Sequence, residues 1–141
     1  MTATPPAPED ASHYHQRLVD GLERAGALQT PRLAAAFRAV PRHLFLAKVA
    51  LEEVYRDMAV PTKRSETGEV TSSSSQPGVM AVMLEQLDVQ AGHRVLEIGA
   101  GSGYNAALLA HLVGEAGQVV SLEVDPDLVE GARAHLATAG Y

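Results

Sequence analysis

The sequence contains no cysteine, which excludes a disulfide framework, a thiolate metal site and a cysteine nucleophile. It is also poor in basic residues: 11 Lys and Arg stand against 17 Asp and Glu, for a formal net charge of −6. The few basic residues are scattered, so a nucleic-acid or anionic-membrane surface is not expected. No uninterrupted apolar run approaches membrane-spanning length. The opening Met-Thr-Ala-Thr-Pro-Pro-Ala-Pro-Glu-Asp has neither a basic nor an apolar signal-peptide region, and a cytoplasmic location is the expectation. Six histidines (His13, His15, His43, His93, His111, His135) share no ligand-like spacing, so no metal site is expected. What is present is 141 residues, 46% of them hydrophobic, enough for one modest core.

Residues 1–11 are Pro/Ala/Thr-rich and read as a disordered tail. From Ser12 the pattern turns helical, with Leu18, Leu22, Ala25 and Leu28 at three- and four-residue spacing and Gly26 as a stop. Thr30-Pro31 predicts a second helix, Thr30 as its N-cap and Pro31 at its first position. Leu33, Ala36, Phe37 and Val40 mark its inner face. A short helical piece follows around Leu51 to Tyr55. Residues 61–76, with Gly68 and four consecutive serines, show no period and are expected to be a loop. A further helix opens near Pro77, with Val79, Met80, Met83, Leu84 and Leu87 expected to point inward.

The period then changes. His93 to Ile98 predicts a buried strand, Gly99-Ala100-Gly101-Ser102-Gly103 a tight turn, and Tyr104 to Leu112 a helix. Gln118 to Glu123 predicts a second strand, and Asp127 to Ala139 a last helix ending at Gly140. This strand–helix–strand–helix order opens a doubly wound parallel sheet. The organisation expected is helices and a loop over residues 12–92, followed by an α/β unit over residues 93–141. Two parallel strands leave both sheet edges without neighbours, so the chain is expected to be the front part of a larger domain.

Glycines between a strand and a helix bring backbone N–H groups and a positive helix end to a ligand. A dinucleotide site calls for G-x-G-x-x-G, whereas here the spacing is G-x-G-x-G and Tyr104 stands where the third glycine belongs. Glu97, just before the turn, would repel a pyrophosphate but suits an ammonium group. Glu123 closes the second strand about twenty residues on, where an acid accepts from ribose hydroxyls. A ligand with a ribose and an ammonium but no phosphate is an adenosyl amino acid, and S-adenosylmethionine is the natural candidate. The bland alternative is that both acids are solvated strand ends around a structural turn. A nicotinamide-dependent oxidoreductase is disfavoured by Tyr104 and Glu97.

Val95-Leu96-Glu97-Ile98-Gly99-Ala100-Gly101-Ser102-Gly103-Tyr104 resembles the cofactor motif of protein-L-isoaspartate O-methyltransferases. Arg38-Ala39-Val40-Pro41-Arg42 with Phe45-Leu46 resembles that family's N-terminal helical signature. Val54-Tyr55-Arg56-Asp57 with Ala59-Val60-Pro61 resembles the stretch before its active-site loop. Thr71 to Pro77, ending Ser-Gln-Pro, resembles the loop bearing its active-site serine. The similarity runs from about Leu18 onward. It implies a class I, Rossmann-like α/β methyltransferase fold, ending here after the second strand–helix unit.

By that resemblance the expected reaction moves a methyl from S-adenosylmethionine to the free carboxyl of an isoaspartyl residue in a damaged protein or peptide. The resemblance makes Ser75 the catalytic serine, with Thr71, Ser74 and Gln76 on the substrate side. Glu97, Gly99, Ala100, Gly101, Gly103 and Glu123 are the expected cofactor-binding residues. The segment Thr62 to Val70 makes the loop longer than the family's usual form. It is similar to the branch acting on an aspartate or isoaspartate of a dedicated precursor peptide. That function and a non-catalytic fragment are the alternatives.

Overall fold

The computed structural model of the chain describes residues 8–141; residues 1–7, most of the expected disordered tail, lie outside the described residues. Helix α1 spans Pro8–Arg24 and so begins ahead of the expected Ser12. Its buried stripe is Leu18, Val19 and Leu22, one face at helical spacing. Ala25 falls outside the helix and is exposed, while Leu28 is buried from the connection.

Helix α2 spans Pro31–Ala39 with proline in its first turn, where the missing N–H costs nothing. Thr30 precedes it without a side-chain cap. Its N–H and hydroxyl instead donate to Glu85 Oε1, at 2.8 and 3.3 Å. A single 3₁₀ turn covers Arg42–Phe45, and the short α3 is Leu51–Val54.

The expected loop over residues 61–76 is a β-hairpin. Strands β1 (Val60–Arg64) and β2 (Val70–Ser74) pair antiparallel, Val60 opposite Ser74 and Arg64 opposite Val70. Its turn is closed by Ser65 N–H on the Glu69 carbonyl (2.8 Å) and passes through Gly68 at φ 88°, a conformation only glycine adopts freely. Both faces of the hairpin are largely solvated. Apolar residues therefore do not alternate along it, and period-two reasoning had nothing to detect.

Helix α4 (Pro77–Leu87), β3 (Arg94–Ile98), α5 (Tyr104–Val113), β4 (Gln118–Leu122) and α6 (Pro126–Ala139) follow. Strands β3 and β4 pair parallel and in register, from Arg94 opposite Gln118 to Ile98 opposite Leu122. Apolar apart from Asn105 and His111, α5 buries Tyr104, Ala106, Ala107, Leu108, Leu109, Leu112 and Val113, as so apolar a helix must. One hydrophobic cluster joins all of these but Ala106 to Phe37, Val40 and Phe45 and to Met80, Ala81 and Leu84. Arg32 ties the layers together, donating to the carbonyls of Val89 (3.0 Å) and Leu112 (2.9 Å).

Two expectations of burial are corrected. On α4, Met80 and Leu84 face the core, but Val79, Met83 and Leu87 are 49%, 63% and 55% exposed. On the strand expected to be buried, Leu96 and Ile98 are exposed, as are Val120 and Leu122 beside them. The helices cover one face of the β3–β4 pair, so alternate residues face outward. No helix among the described residues is long and apolar enough to cross a membrane.

Candidate active site

The site lies where the ends of β2 and β3 meet the start of α5. A cavity of about 420 Å³ is lined there by Ser73, Ser74 and Ser75, by Glu97, Gly99, Ala100, Gly101 and Ser102, and by Tyr104 and Asn105. The hairpin therefore brings the serine run against the glycine turn. Ser73 carbonyl oxygen is 3.8 Å from where a Gly101 side chain would begin.

Gly99, Gly101 and Gly103 all take positive φ, at 91°, 53° and 89°, but their surroundings differ. Nothing lies within 4 Å of a side chain built on Gly99, so the turn is open to a ligand there. Gly103 faces Ala132 of α6, with 3.3 Å left for a side chain. Its bareness lets α6 pack on the turn, and it does not line the cavity.

Glu97 is 9% exposed, yet borders the cavity. Its carboxylate accepts from Asn105 Nδ2 at 2.6 Å and from the Ser121 hydroxyl. Ser121 stands opposite Glu97 in the parallel register, so pairing of the strands supplies that partner. A carboxylate offers about four acceptor positions, and these two donors leave capacity for a cationic ligand.

Glu123 follows β4 on the other side of the turn. It accepts N–H groups from Gly101 (3.0 Å), Val124 (2.9 Å) and Asp125 (3.2 Å). The Gly101 N–H, then that of Asp125, hold its carboxyl below the usual carboxylate range.

The serines separate by burial. Ser74 is 4% exposed and its hydroxyl accepts from Arg42 Nη2 at 3.3 Å, whereas Ser75 is exposed at the cavity rim. Thr71 is solvated on β2, and Gln76 is the half-buried residue before α4, without a side-chain cap; neither lines the cavity. Tyr104 is packing: it is 2% exposed, edge-on to Phe37, and burial pushes its hydroxyl pKa up.

Comparison with known proteins gives the family. Residues 12–141 match the family model for "Protein-L-isoaspartate(D-aspartate) O-methyltransferase (PCMT)". The chain belongs to this family. It is 40% identical over 126 residues to the protein-L-isoaspartate O-methyltransferase of Methanopyrus kandleri, covering 89% of this chain and 53% of that one. It is 43% identical over 125 residues to that of Methanoculleus marisnigri, covering 89% and 53%. A solved protein-L-isoaspartate O-methyltransferase superposes with a TM-score of 0.79 at 37% identity, covering 89% of this chain and 39% of that one. A Plasmodium falciparum protein solved in complex with S-adenosyl-L-homocysteine shares the fold, with a TM-score of 0.77 at 22% identity. It covers 89% of this chain and 56% of that one. The chain thus spans about half the length of the curated relatives it matches, and its fold is the Rossmann-like α/β fold of PCMT methyltransferases.

Several residues around this candidate site carry no signal in the motif. Lys63 of β1 donates to Asp125 (2.6 Å) and Asp127 (3.0 Å), fastening the hairpin to the start of α6 just beyond Glu123. Asp57 accepts the Gly78 N–H at 2.6 Å and occupies the space where a Gly78 side chain would begin, so the entry to α4 is fixed from below. Asn105 and Ser121 are ordinary polar residues until the fold places them on Glu97. Arg42 was visible only as part of a family signature, yet it is fully buried beneath the serines.

Proposed function

We propose that this chain carries the methyl-donor site and the acceptor-side serine of a protein-L-isoaspartate O-methyltransferase, acting on the free carboxyl of isoaspartyl residues in damaged proteins or peptides. One observation carries the proposal: Glu97 and the Gly99–Gly101 turn that follows it, and Ser75 from a separate segment, border a single cavity. The bound donor, S-adenosylmethionine, supplies an activated methyl group, which passes to a carboxylate oxygen and leaves S-adenosylhomocysteine.

The residues present fit that donor. Glu97 offers a buried carboxylate with acceptor capacity for an ammonium, and Gly99, whose N–H is held by the Leu122 carbonyl, puts no side chain in the space beside it. Three N–H donors on Glu123 leave one of its roughly four acceptor positions for a hydroxyl. The acceptor carboxylate is already ionised at neutral pH, so no general base is required of the chain. What the chain must do is position the reactants and exclude water. Ser75, exposed at the rim, would donate its hydroxyl to the acceptor carboxylate. Lys63 holds the hairpin down over the turn.

The test is calorimetric titration of the chain with S-adenosylhomocysteine, followed by transfer of labelled methyl to an isoaspartyl peptide and to its aspartyl counterpart. Saturable binding and transfer to the isoaspartyl peptide alone are expected. Transfer to neither peptide would refute the proposed reaction.

A further inference from the structure

Arg42 is the largest side chain with no exposed surface, and among the described residues no carboxylate lies within ion-pair distance of it. Burying a guanidinium without a counter-charge costs desolvation that an apolar side chain of similar volume avoids. The Tyr104 ring, 5.9 Å from its Cζ, offsets part of that cost. Asp57, beyond ion-pair distance, adds a longer-range attraction, and the remaining compensation is directional. Nη1 donates to the carbonyls of Val54 (2.6 Å) and Arg56 (3.4 Å). Nη2 donates to the Ser75 carbonyl (3.0 Å), the Ser74 hydroxyl (3.3 Å) and the Met58 carbonyl (3.4 Å). Nε has no partner.

These acceptors fall on the segment leading into β1 and on the segment leaving β2, the two ends of one hairpin. One planar fork therefore fixes the base of the hairpin. It also fixes the backbone of Ser75, which borders the cavity.

We propose that Arg42 is a positioning residue for the acceptor side of the site: its fork holds Ser74 and the Ser75 carbonyl so that the Ser75 hydroxyl faces the cavity. The proposal rests on the function proposed above and extends it to a residue that touches neither reactant. Lysine keeps the charge but is a single-point donor without the planar fork. On this proposal Arg42→Lys does not rescue, and it loses the same contribution as Ser75→Ala.

The experiment compares the unsubstituted chain with Arg42→Lys, Arg42→Met, Ser75→Ala and the Arg42→Lys/Ser75→Ala double variant. Readouts are circular dichroism, S-adenosylhomocysteine affinity, and kcat and KM with an isoaspartyl peptide. For Arg42→Lys the expected result is a folded spectrum, affinity within about twofold, and kcat lowered about tenfold or more. Adding Ser75→Ala to it should lower kcat by less than about twofold further, because both act through one hydroxyl. Wild-type kcat in Arg42→Lys, or losses that multiply in the double variant, would overturn the positioning role. Unfolding of both Arg42 variants would also overturn it, leaving Arg42 a residue of the core. No transfer by the unsubstituted chain would instead overturn the proposed function, and Arg42's part in it.

Discussion

Glu123 accepts the backbone N–H of Gly101 at 3.0 Å, so the acid after β4 holds the glycine turn after β3. Replacing it removes both a partner of the turn and the acceptor proposed for a ribose hydroxyl. Glu123→Ala is expected to weaken S-adenosylhomocysteine binding by about 1.5–3 kcal/mol, the scale of hydrogen bonds to a charged group. Titration calorimetry checks it. Undiminished affinity would confine Glu123 to bracing the turn.

The same contacts fix a pH dependence. The folded pKa of Glu123 is depressed, first by the Gly101 N–H and then by that of Asp125. A group depressed on folding contributes fully above its unfolded pKa, and the contribution is lost as pH falls through the folded value. Glu123 should therefore stay ionised through the ordinary carboxylate range and support the turn there. The difference in S-adenosylhomocysteine affinity between the parent chain and Glu123→Gln should be constant from neutral pH to about pH 5 and shrink only in stronger acid. A difference that closes above pH 5 would contradict the assignment.

Gly99 and Gly103 share a left-handed backbone but should fail differently. Alanine at either position carries the strain of positive φ, about 1–2 kcal/mol. At Gly103 it must also displace Ala132, only 3.3 Å away, and overpacking adds about 1–3 kcal/mol. Gly103→Ala is thus expected to be the more destabilised in urea, while Gly99→Ala loses more cofactor affinity for its smaller loss of stability. Equal effects on both measurements would mean that the turn responds as one unit.

The contrast shows what the sequence could and could not reveal. The strand–turn–helix around Gly99 to Gly103 was legible because apolar runs, glycines and an Ala/Leu helix each leave a local mark, and the acids at the strand ends stand out beside them. The roles of the glycines were not equally legible, since Gly103 answers to Ala132, far along the chain on α6. The hairpin was missed because two solvated faces leave no hydrophobic alternation. Arg42 gave no sign of its burial, because its partners are backbone carbonyls, which no residue type announces. The inward positions on α4 were misassigned at Val79, Met83 and Leu87 because an apolar helix does not state which of its faces is covered.

That uncovered face has its own consequence. Leu96, Ile98, Val120 and Leu122 of the strands, and Val79, Met83 and Leu87 of α4, are all exposed. Apolar surface on this scale promotes association. The chain is expected to show concentration-dependent sedimentation and to enhance the fluorescence of an apolar dye. Ile98→Lys with Leu122→Lys should reduce both. A monomer at all concentrations, with no dye response, would show that this surface is not a site of association.

The neighbouring serines give a crossed test of the site. Ser74 is buried and its hydroxyl accepts from Arg42, whereas Ser75 is exposed and uses only its carbonyl for that contact. Ser74→Ala removes one acceptor from a buried guanidinium. It is expected to cost about 0.5–1.5 kcal/mol of stability, with turnover reduced only as far as the loop loosens. Ser75→Ala leaves the Arg42 contact intact, so stability should stay within about 0.5 kcal/mol while turnover falls and S-adenosylhomocysteine affinity holds. Urea unfolding and methyl transfer on the two variants separate the cases. If the pattern reverses, with Ser74→Ala abolishing turnover and Ser75→Ala silent, the reacting hydroxyl is one residue earlier, and Arg42 holds it directly.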